Sequence, residues 1–97
     1  MNLQLKKLFN KYNKKYFRNK LKISDIRFGR SLGLGETNFL KPFPSIVIVP
    51  ALKQSKRILK IVLLHEMVHV FGIHDHGPRF IHRIHKLVRQ GAYNDLL

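Results

Sequence analysis

The sequence predicts a small α+β domain in which three helices pack on a short, mostly antiparallel sheet. At 97 residues the chain has room for one domain with a modest core. Apolar residues recur at helical spacing in three segments, and short apolar or β-branched runs bounded by glycine and proline lie between the first and second of these. Helices and strands segregated along the chain in this way are typical of an α+β arrangement.

The three predicted helices differ in how much of their surface is apolar. The first, over Leu3–Phe17, has one apolar stripe and a lysine-rich remainder. The second begins after the N-cap residue Ser55 and runs to about Phe71, and because it is apolar on nearly all sides we expect it to be buried. The third begins at Pro78, a residue type suited to the first helical position, and continues to Val88.

Three short strands are predicted between the first two helices, over Ile23–Phe28, Glu36–Leu40 and Ile46–Val49. The last is the clearest, because it is a β-branched run ended by Pro50. If it lies at the edge of the sheet, it can hold a substrate backbone by strand addition, and otherwise it is a core strand. The glycines between the first two strands are not spaced as a phosphate-binding loop, so no nucleotide site is indicated.

The chain is strongly basic, with 19 Lys and Arg against 5 Asp and Glu and a formal net charge of +14. Such a chain repels itself unless it meets a polyanion, and nucleic acid is the first candidate, ahead of an anionic membrane surface. The alternative is that the cations only form solvated faces. The candidate nucleic-acid-binding residues lie in or next to the first and last helices: Lys6, Lys7, Lys11, Lys14, Lys15, Arg18, Arg79 and Arg83.

Two absences narrow the class of protein. The chain has no cysteine, which excludes disulfides and thiolate zinc sites, so a metal must be held by histidine and carboxylate. No apolar run has the length of a signal-peptide core or of a membrane span. We therefore expect a cytoplasmic or nucleoid-associated protein without a membrane partner, and the sequence gives no indication of its oligomeric state.

A His-Glu-Met-Val-His motif at residues 65–69 lies inside the second predicted helix. Residues four apart share one helix face about 6 Å apart, so His65 and His69 can bind one Zn²⁺, and Glu66 beside the first of them can reach a water on the metal. A catalytic zinc needs a third protein ligand. Three candidates follow the helix, and spacing alone does not decide among them: His74, Asp75 and His76. Asp75 is also a candidate to orient a ligand histidine or to cap the turn.

The motif and its continuation resemble the SprT-like metalloprotease domain. The specific segments are Leu-His-Glu-Met-Val-His at residues 64–69 and His-Gly-Pro-Arg-Phe at residues 76–80. Weaker likeness at residues 16–21, 26–28, 33–35 and 46–52 extends the resemblance over roughly residues 8–89. The whole chain, 1–97, is then expected to be a single SprT-like domain, without the C-terminal zinc ribbon that usually follows it.

The resemblance implies a zincin-like fold, one Zn²⁺ held by His65, His69 and His76, and Glu66 as the catalytic residue. The SprT-like group includes the Spartan proteases, which cut proteins crosslinked to DNA. The implied function is a zinc-dependent endopeptidase acting on DNA-associated proteins, with Glu66 activating a zinc-bound water. The implied partners are a DNA-bound protein substrate and nucleic acid, with single-stranded DNA favoured over other forms.

Two alternatives from other functional classes stay open. Residues 69–76 resemble the H-x-x-G-x-D-H ending of the bacterial rRNA-maturation nucleases with one residue inserted, which suggests a metal-dependent endoribonuclease, although that family lacks a glutamate directly after its first histidine. The second alternative is a non-catalytic, zinc-stabilised nucleic-acid-binding module. Glu66 argues against such a module, because a structural zinc site gains nothing from a base beside its ligand.

Overall fold

A computed structural model describes residues 1–96 and has the predicted α+β architecture, with three α-helices and a three-stranded sheet. None of the helices in this part of the chain is long and apolar enough to cross a membrane. The elements in chain order are α1 (Leu3–Tyr16), β1 (Asp25–Phe28), β2 (Gly35–Asn38), β3 (Ser45–Ile48), a short 3-10 helix (Pro50–Gln54), α2 (Lys56–Val70), α3 (Pro78–Arg89) and a second 3-10 helix (Asn94–Leu96).

The sheet is mixed, whereas the sequence predicts a mostly antiparallel one: β3 lies at its centre and pairs in parallel with β1 and antiparallel with β2. All four residues of β3 are buried, as expected for a β-branched strand with a neighbour on each side. The hypothesis that the Ile46–Val49 segment forms an edge strand is therefore wrong. β2 is an edge strand of the sheet, and it lies against α2.

The core forms where α2 meets the sheet, α1 and α3. As its apolar sequence predicts, α2 has eight buried residues, among them Leu63, Leu64 and Met67 with no exposed surface. Ser55 caps the helix by accepting a hydrogen bond from the Ile58 N–H, 3.3 Å from its Oγ. Burial of α2 on several sides fixes the orientation of every side chain that its C-terminal half presents.

A buried asparagine shapes the chain just beyond α1. The Asn13 amide donates to the Leu21 carbonyl at 2.9 Å and accepts from the Leu21 N–H at 3.1 Å. The two residues that turn the chain between them, Arg18 and Asn19, have positive φ angles of 53° and 58°. This clamp holds the loop after α1 next to α3, and Arg83 of α3 donates to the Tyr16 carbonyl at 3.1 Å.

Close packing of β2 on α2 depends on the missing side chain of Gly35. A Cβ at this position would lie 2.8 Å from Cγ1 of Val62 and 3.1 Å from Cδ1 of Ile48. Val62 is β-branched and on a helix, so it has little rotamer freedom to move away. Any residue larger than glycine must therefore push β2 off the helix.

We expect Gly35→Ala to destabilise the fold by about 1–3 kcal/mol, the usual cost of overpacking a core. In a domain of this size that lowers Tm by about 4–8 °C per kcal/mol, which thermal unfolding followed by circular dichroism would detect. Gly33→Ala is the matched control, because a Cβ there meets nothing closer than 4.0 Å. Equal Tm values for the two variants would contradict the packing argument.

Candidate metal centre

Three histidine side chains converge at the C-terminal half of α2. His65 and His69 are one helical turn apart on α2, and His76 reaches them from the loop before α3. The Nε2 atom of His76 lies 3.1 Å from Nε2 of His65 and 3.1 Å from Nε2 of His69. Nitrogens bound tetrahedrally to one Zn²⁺ lie about 3.3 Å apart, given Zn–N bonds of about 2.0–2.1 Å. The ligand nitrogens of all three imidazoles lie within 4.8 Å of one another, so the group could hold a single metal ion.

The short loop after α2 explains how His76 returns to the helix within seven residues of His69. Gly72 ends the helix with φ of +111°, a conformation that favours glycine, and its N–H donates to the His69 carbonyl at 2.9 Å. Asp75 then accepts a hydrogen bond from the Gly77 N–H at 3.1 Å. The Asp75 carboxylate caps this turn, which is one of the three roles predicted for it.

His69 is the most firmly oriented of the three histidines. It is buried, and its Nδ1 lies 2.6 Å from the Ile73 carbonyl oxygen. A carbonyl oxygen only accepts hydrogen bonds, so Nδ1 carries the proton and Nε2 keeps the lone pair that a metal requires. The hydrogen bond to Ile73 therefore selects the metal-binding tautomer.

Phe80 packs against all three imidazoles. Its ring centroid lies 4.8 Å from that of His65, 5.1 Å from that of His69 and 4.8 Å from that of His76. Phe80 is itself buried, so it restricts the rotamers of the histidines around it. Phe80 belongs to the His-Gly-Pro-Arg-Phe segment at residues 76–80. Its contact with the imidazoles could not be predicted from residue spacing, because Phe80 is on α3 and two of the histidines are on α2.

The surroundings of His65 favour its neutral imidazole. Burial, together with the neighbouring His69 and His76, lowers the pKa of His65 to about 4. A histidine with such a pKa is uncharged at neutral pH, so metal binding does not have to displace a proton from it.

Glu66 lies on the buried side of the motif and is held by the edge strand. Its Oε1 accepts a hydrogen bond from the Thr37 hydroxyl at 2.8 Å, and the side chain is only 5 % exposed. Burial raises the pKa of the Glu66 carboxyl, while the Thr37 hydrogen bond and the nearby His69 and His76 oppose that rise. Thr37 was not foreseen as a site residue, because it is 29 residues away on a different element.

The other candidate ligands lie outside the histidine group. His74 stacks on Phe39 with ring centroids 4.0 Å apart, and Asp75 is engaged with Gly77 as described. Within residues 1–96, His65, His69 and His76 form the group of potential ligands close enough to hold a metal ion. The structure therefore supports a metal site at these three residues, and the donor set does not by itself identify the metal.

The predicted nucleic-acid-binding cations divide into separate surfaces. Lys7 and Lys11 line a cavity between α1 and the start of α2 that also contains Asp95. Lys6 lies over the Phe9 ring at 5.7 Å from its centroid, and Lys14 is exposed on α1. The remaining four residues line two adjoining cavities between the end of α1 and α3: Lys15, Arg18, Arg79 and Arg83.

An apolar cavity of about 400 Å³ adjoins His65. Ile61 of α2 and Ile84 and Val88 of α3 form its walls, and Tyr93 closes one side. Burial raises the pKa of Tyr93 to about 12, so its hydroxyl stays protonated at neutral pH. The histidine group thus adjoins an apolar cavity at His65, and the neighbouring Glu66 contacts the β2 edge strand through Thr37.

Comparisons with known proteins do not assign this chain to a family. No protein-family model matches it, and neither the characterised proteins nor the solved structures contain a significant match. Functional conclusions therefore depend on the chemistry of the site.

Proposed function

We propose that this protein is a zinc-dependent endopeptidase of the SprT-like type that acts on DNA-associated proteins. The observation that carries the proposal is a buried carboxylate held in place beside a three-histidine group. Glu66 is fixed through Oε1 by Thr37, and Nε2 of His76 lies 3.1 Å from Nε2 of both His65 and His69. A structural metal site needs the histidines but has no use for the carboxylate.

The residues of the site have separate roles in the proposed peptide hydrolysis. His65, His69 and His76 would hold the zinc, and an all-nitrogen donor set favours zinc over magnesium or calcium. When bound, zinc supplies Lewis acidity, which lowers the pKa of water and polarises a carbonyl group. Glu66 acts as general base towards the attacking water and afterwards returns the proton to the leaving amine. The Thr37 hydroxyl donates to Oε1 of Glu66, so Oε2 of Glu66 is the oxygen that accepts the proton from the attacking water.

The surroundings of the site suit an extended peptide. β2 pairs with β3 on one side only and lies against α2, so an extended substrate can add to its outer edge by strand addition. Strand addition of the substrate, predicted for Ile46–Val49 if that segment were an edge strand, is therefore proposed for β2 instead. The apolar cavity beside His65 would accept an apolar substrate side chain.

The net charge of the chain supports the proposal that its protein substrate is bound to DNA. A net charge of +14 attracts polyanions at long range, and it disfavours binding to a free basic protein. A basic protein whose charge is covered by DNA removes that repulsion. The nucleic acid then brings the peptidase and its substrate together.

The decisive experiment is cleavage of a histone by the zinc-loaded protein, with and without single-stranded DNA and with a chelator as control. We expect proteolysis that requires zinc and increases with DNA. Cleavage of RNA in the absence of any proteolysis would support the endoribonuclease alternative and overturn the proposal. Tight nucleic-acid binding with no hydrolysis of either polymer would support the non-catalytic module instead.

Thr37→Val should shift the acidic limb of the pH–activity profile to higher pH. The Thr37 hydrogen bond lowers the pKa of Glu66, so its removal raises that pKa. A general base works only when it is deprotonated, and activity is lost as pH falls through its pKa. Removal of the hydroxyl therefore reduces kcat/KM more on the acidic side of the profile than on its alkaline side.

The control for this variant is Thr37→Ser, which keeps the hydroxyl and should keep the wild-type profile. Profiles of kcat/KM against pH for the three proteins measure the effect directly. A uniform loss of activity at all pH values in Thr37→Val would show that Thr37 acts on something other than the ionisation of Glu66.

A further inference from the structure

A continuous basic surface joins the end of α1 to α3. It consists of two cavities, of about 270 Å³ and 520 Å³, that share Phe71, Arg83 and Lys86. We call this surface the α1–α3 cleft. Its six cationic residues are Lys15, Arg18, Lys20, Arg79, Arg83 and Lys86. Of the five Asp and Glu in the chain, all within residues 1–96, none lines either cavity.

The charge at the centre of the cleft lacks a neutralising partner. The Arg83 guanidinium stacks on Phe71 and Phe17, with its central carbon 4.3 Å and 4.8 Å from the two ring centroids. Its Nε atom is buried and has no hydrogen-bond partner in the described part of the chain. Burial, together with the nearby charge of Arg18, lowers the pKa of Arg83. The charge of an anion bound in the cleft would offset both the cost of desolvating Arg83 and its repulsion by Arg18.

An aromatic ring lies among these cations. Phe71 lines both cavities, and its side chain remains 41 % exposed although it contacts Arg83 and Phe17. Exposed aromatic rings interleaved with basic groups are the combination by which proteins bind single strands, because each base offers a face for stacking and each phosphate an anion. Bases in a duplex are stacked on one another and are not free to do this.

We propose that the α1–α3 cleft binds single-stranded nucleic acid, with phosphates on its cations and one base stacked on Phe71. The inference does not depend on peptidase activity, since none of these residues belongs to the metal centre. Phe71 follows the metal-binding His69 by two residues, and Pro78, which also lines the cleft, follows His76 by two. A strand in the cleft therefore passes beside the loop that carries His76.

Binding of a fluorescently labelled 20-nucleotide DNA, measured by anisotropy as a function of salt, tests the proposal. The test variant replaces three exposed cations of the cleft, Lys20→Gln, Arg79→Gln and Lys86→Gln. We expect affinity to fall by about tenfold or more and the slope of log K against log salt to decrease by about 2, since each phosphate contact with a single strand contributes about 0.7.

The matched control removes the same charge from the cavity between α1 and α2: Lys7→Gln, Lys11→Gln and Lys56→Gln. If the cleft is the binding surface, this control should keep the affinity within about threefold of the wild type. Equal losses in the two triple variants would show that only the net charge matters and would overturn the proposal. Stronger binding to duplex DNA or to anionic phospholipid vesicles than to the single strand would also overturn it.

Substitutions at Phe71 test the stacking contact separately. Phe71→Leu keeps apolar bulk against Phe17 and should weaken single-strand binding by about tenfold, while thermal unfolding checks that the fold is retained. The chain has no tryptophan, so Phe71→Trp introduces a single fluorescent reporter. Quenching of that tryptophan by single-stranded DNA or RNA is expected, and the stronger of the two responses identifies the natural partner. Unquenched fluorescence at saturating nucleic acid would contradict the stacking model.

Discussion

Glu66→Gln is expected to abolish peptide hydrolysis while zinc binding and the fold remain intact. Loss of a general base typically costs about 10²–10⁴-fold in rate. Glutamine has the same shape and can keep the hydrogen bond with Thr37, so the position of the side chain should change little. Burial raises the pKa of Glu66, which means that its charged form is disfavoured in the folded protein. A neutral glutamine should therefore leave stability at neutral pH unchanged or slightly higher.

The matched control for this prediction is Glu36→Gln on β2. The charge of Glu36 raises the pKa of Glu66, and Glu36 does not belong to the three-histidine group. Its replacement removes one negative charge without removing the proposed base, so activity should be retained. Cleavage of a protein substrate, together with metal content measured by atomic emission, compares the variants. Full peptidase activity in Glu66→Gln would falsify the proposed mechanism, and zinc-dependent RNA cleavage that survives this substitution would favour a nuclease.

Elements governed by local sequence could be predicted from the chain. The N-cap at Ser55 and the start of α3 at Pro78 follow from interactions within a few residues, and the burial of α2 follows from its apolar composition. The structure confirms each of them. Strand pairing depends on contacts between distant segments. The apolar run at residues 46–49 is consistent with either an edge or a central strand, so its place between β1 and β2 could not be derived from its composition.

In the site, too, features set by local sequence could be predicted and features set by distant contacts could not. The pairing of His65 with His69 is a consequence of helical spacing, whereas the choice of His76 over His74 depends on the turn at Gly72 and on contacts with Phe80. Thr37 was missed because its link to Glu66 requires β2 to lie against α2, and Gly35 allows that only by lacking a side chain. The spacing motif therefore indicates the chemistry, and tertiary packing supplies the residues that orient it.

Zinc should raise the Tm of the wild-type protein by about 15–30 °C. Ligand at a thousand times its Kd stabilises the folded state by about 4 kcal/mol, and a domain of this size gains about 4–8 °C in Tm per kcal/mol. A chain of 97 residues has a modest core, so this contribution is a large share of its total stability. Thermal unfolding of chelator-treated protein, with and without added Zn²⁺, measures it. Mg²⁺ should produce a much smaller shift, because it prefers oxygen ligands.

Two histidine variants decide which residue is the third ligand. His76 is exposed, so His76→Ala should leave the Tm of the metal-free protein almost unchanged and remove most of the zinc-dependent increase. His74→Ala is the matched control, because His74 is also exposed but stacks on Phe39 away from the histidine group, and it should keep the full increase. The opposite pattern, with zinc stabilisation lost in His74→Ala and kept in His76→Ala, would assign the ligand to His74.

His69→Ala should lower the Tm even without metal, because it removes a buried ring and leaves the Ile73 carbonyl without its donor. We therefore expect zinc to stabilise the fold only if the loop holds His76 against α2, and the metal-free Tm of each variant separates loss of the ligand from loss of the fold.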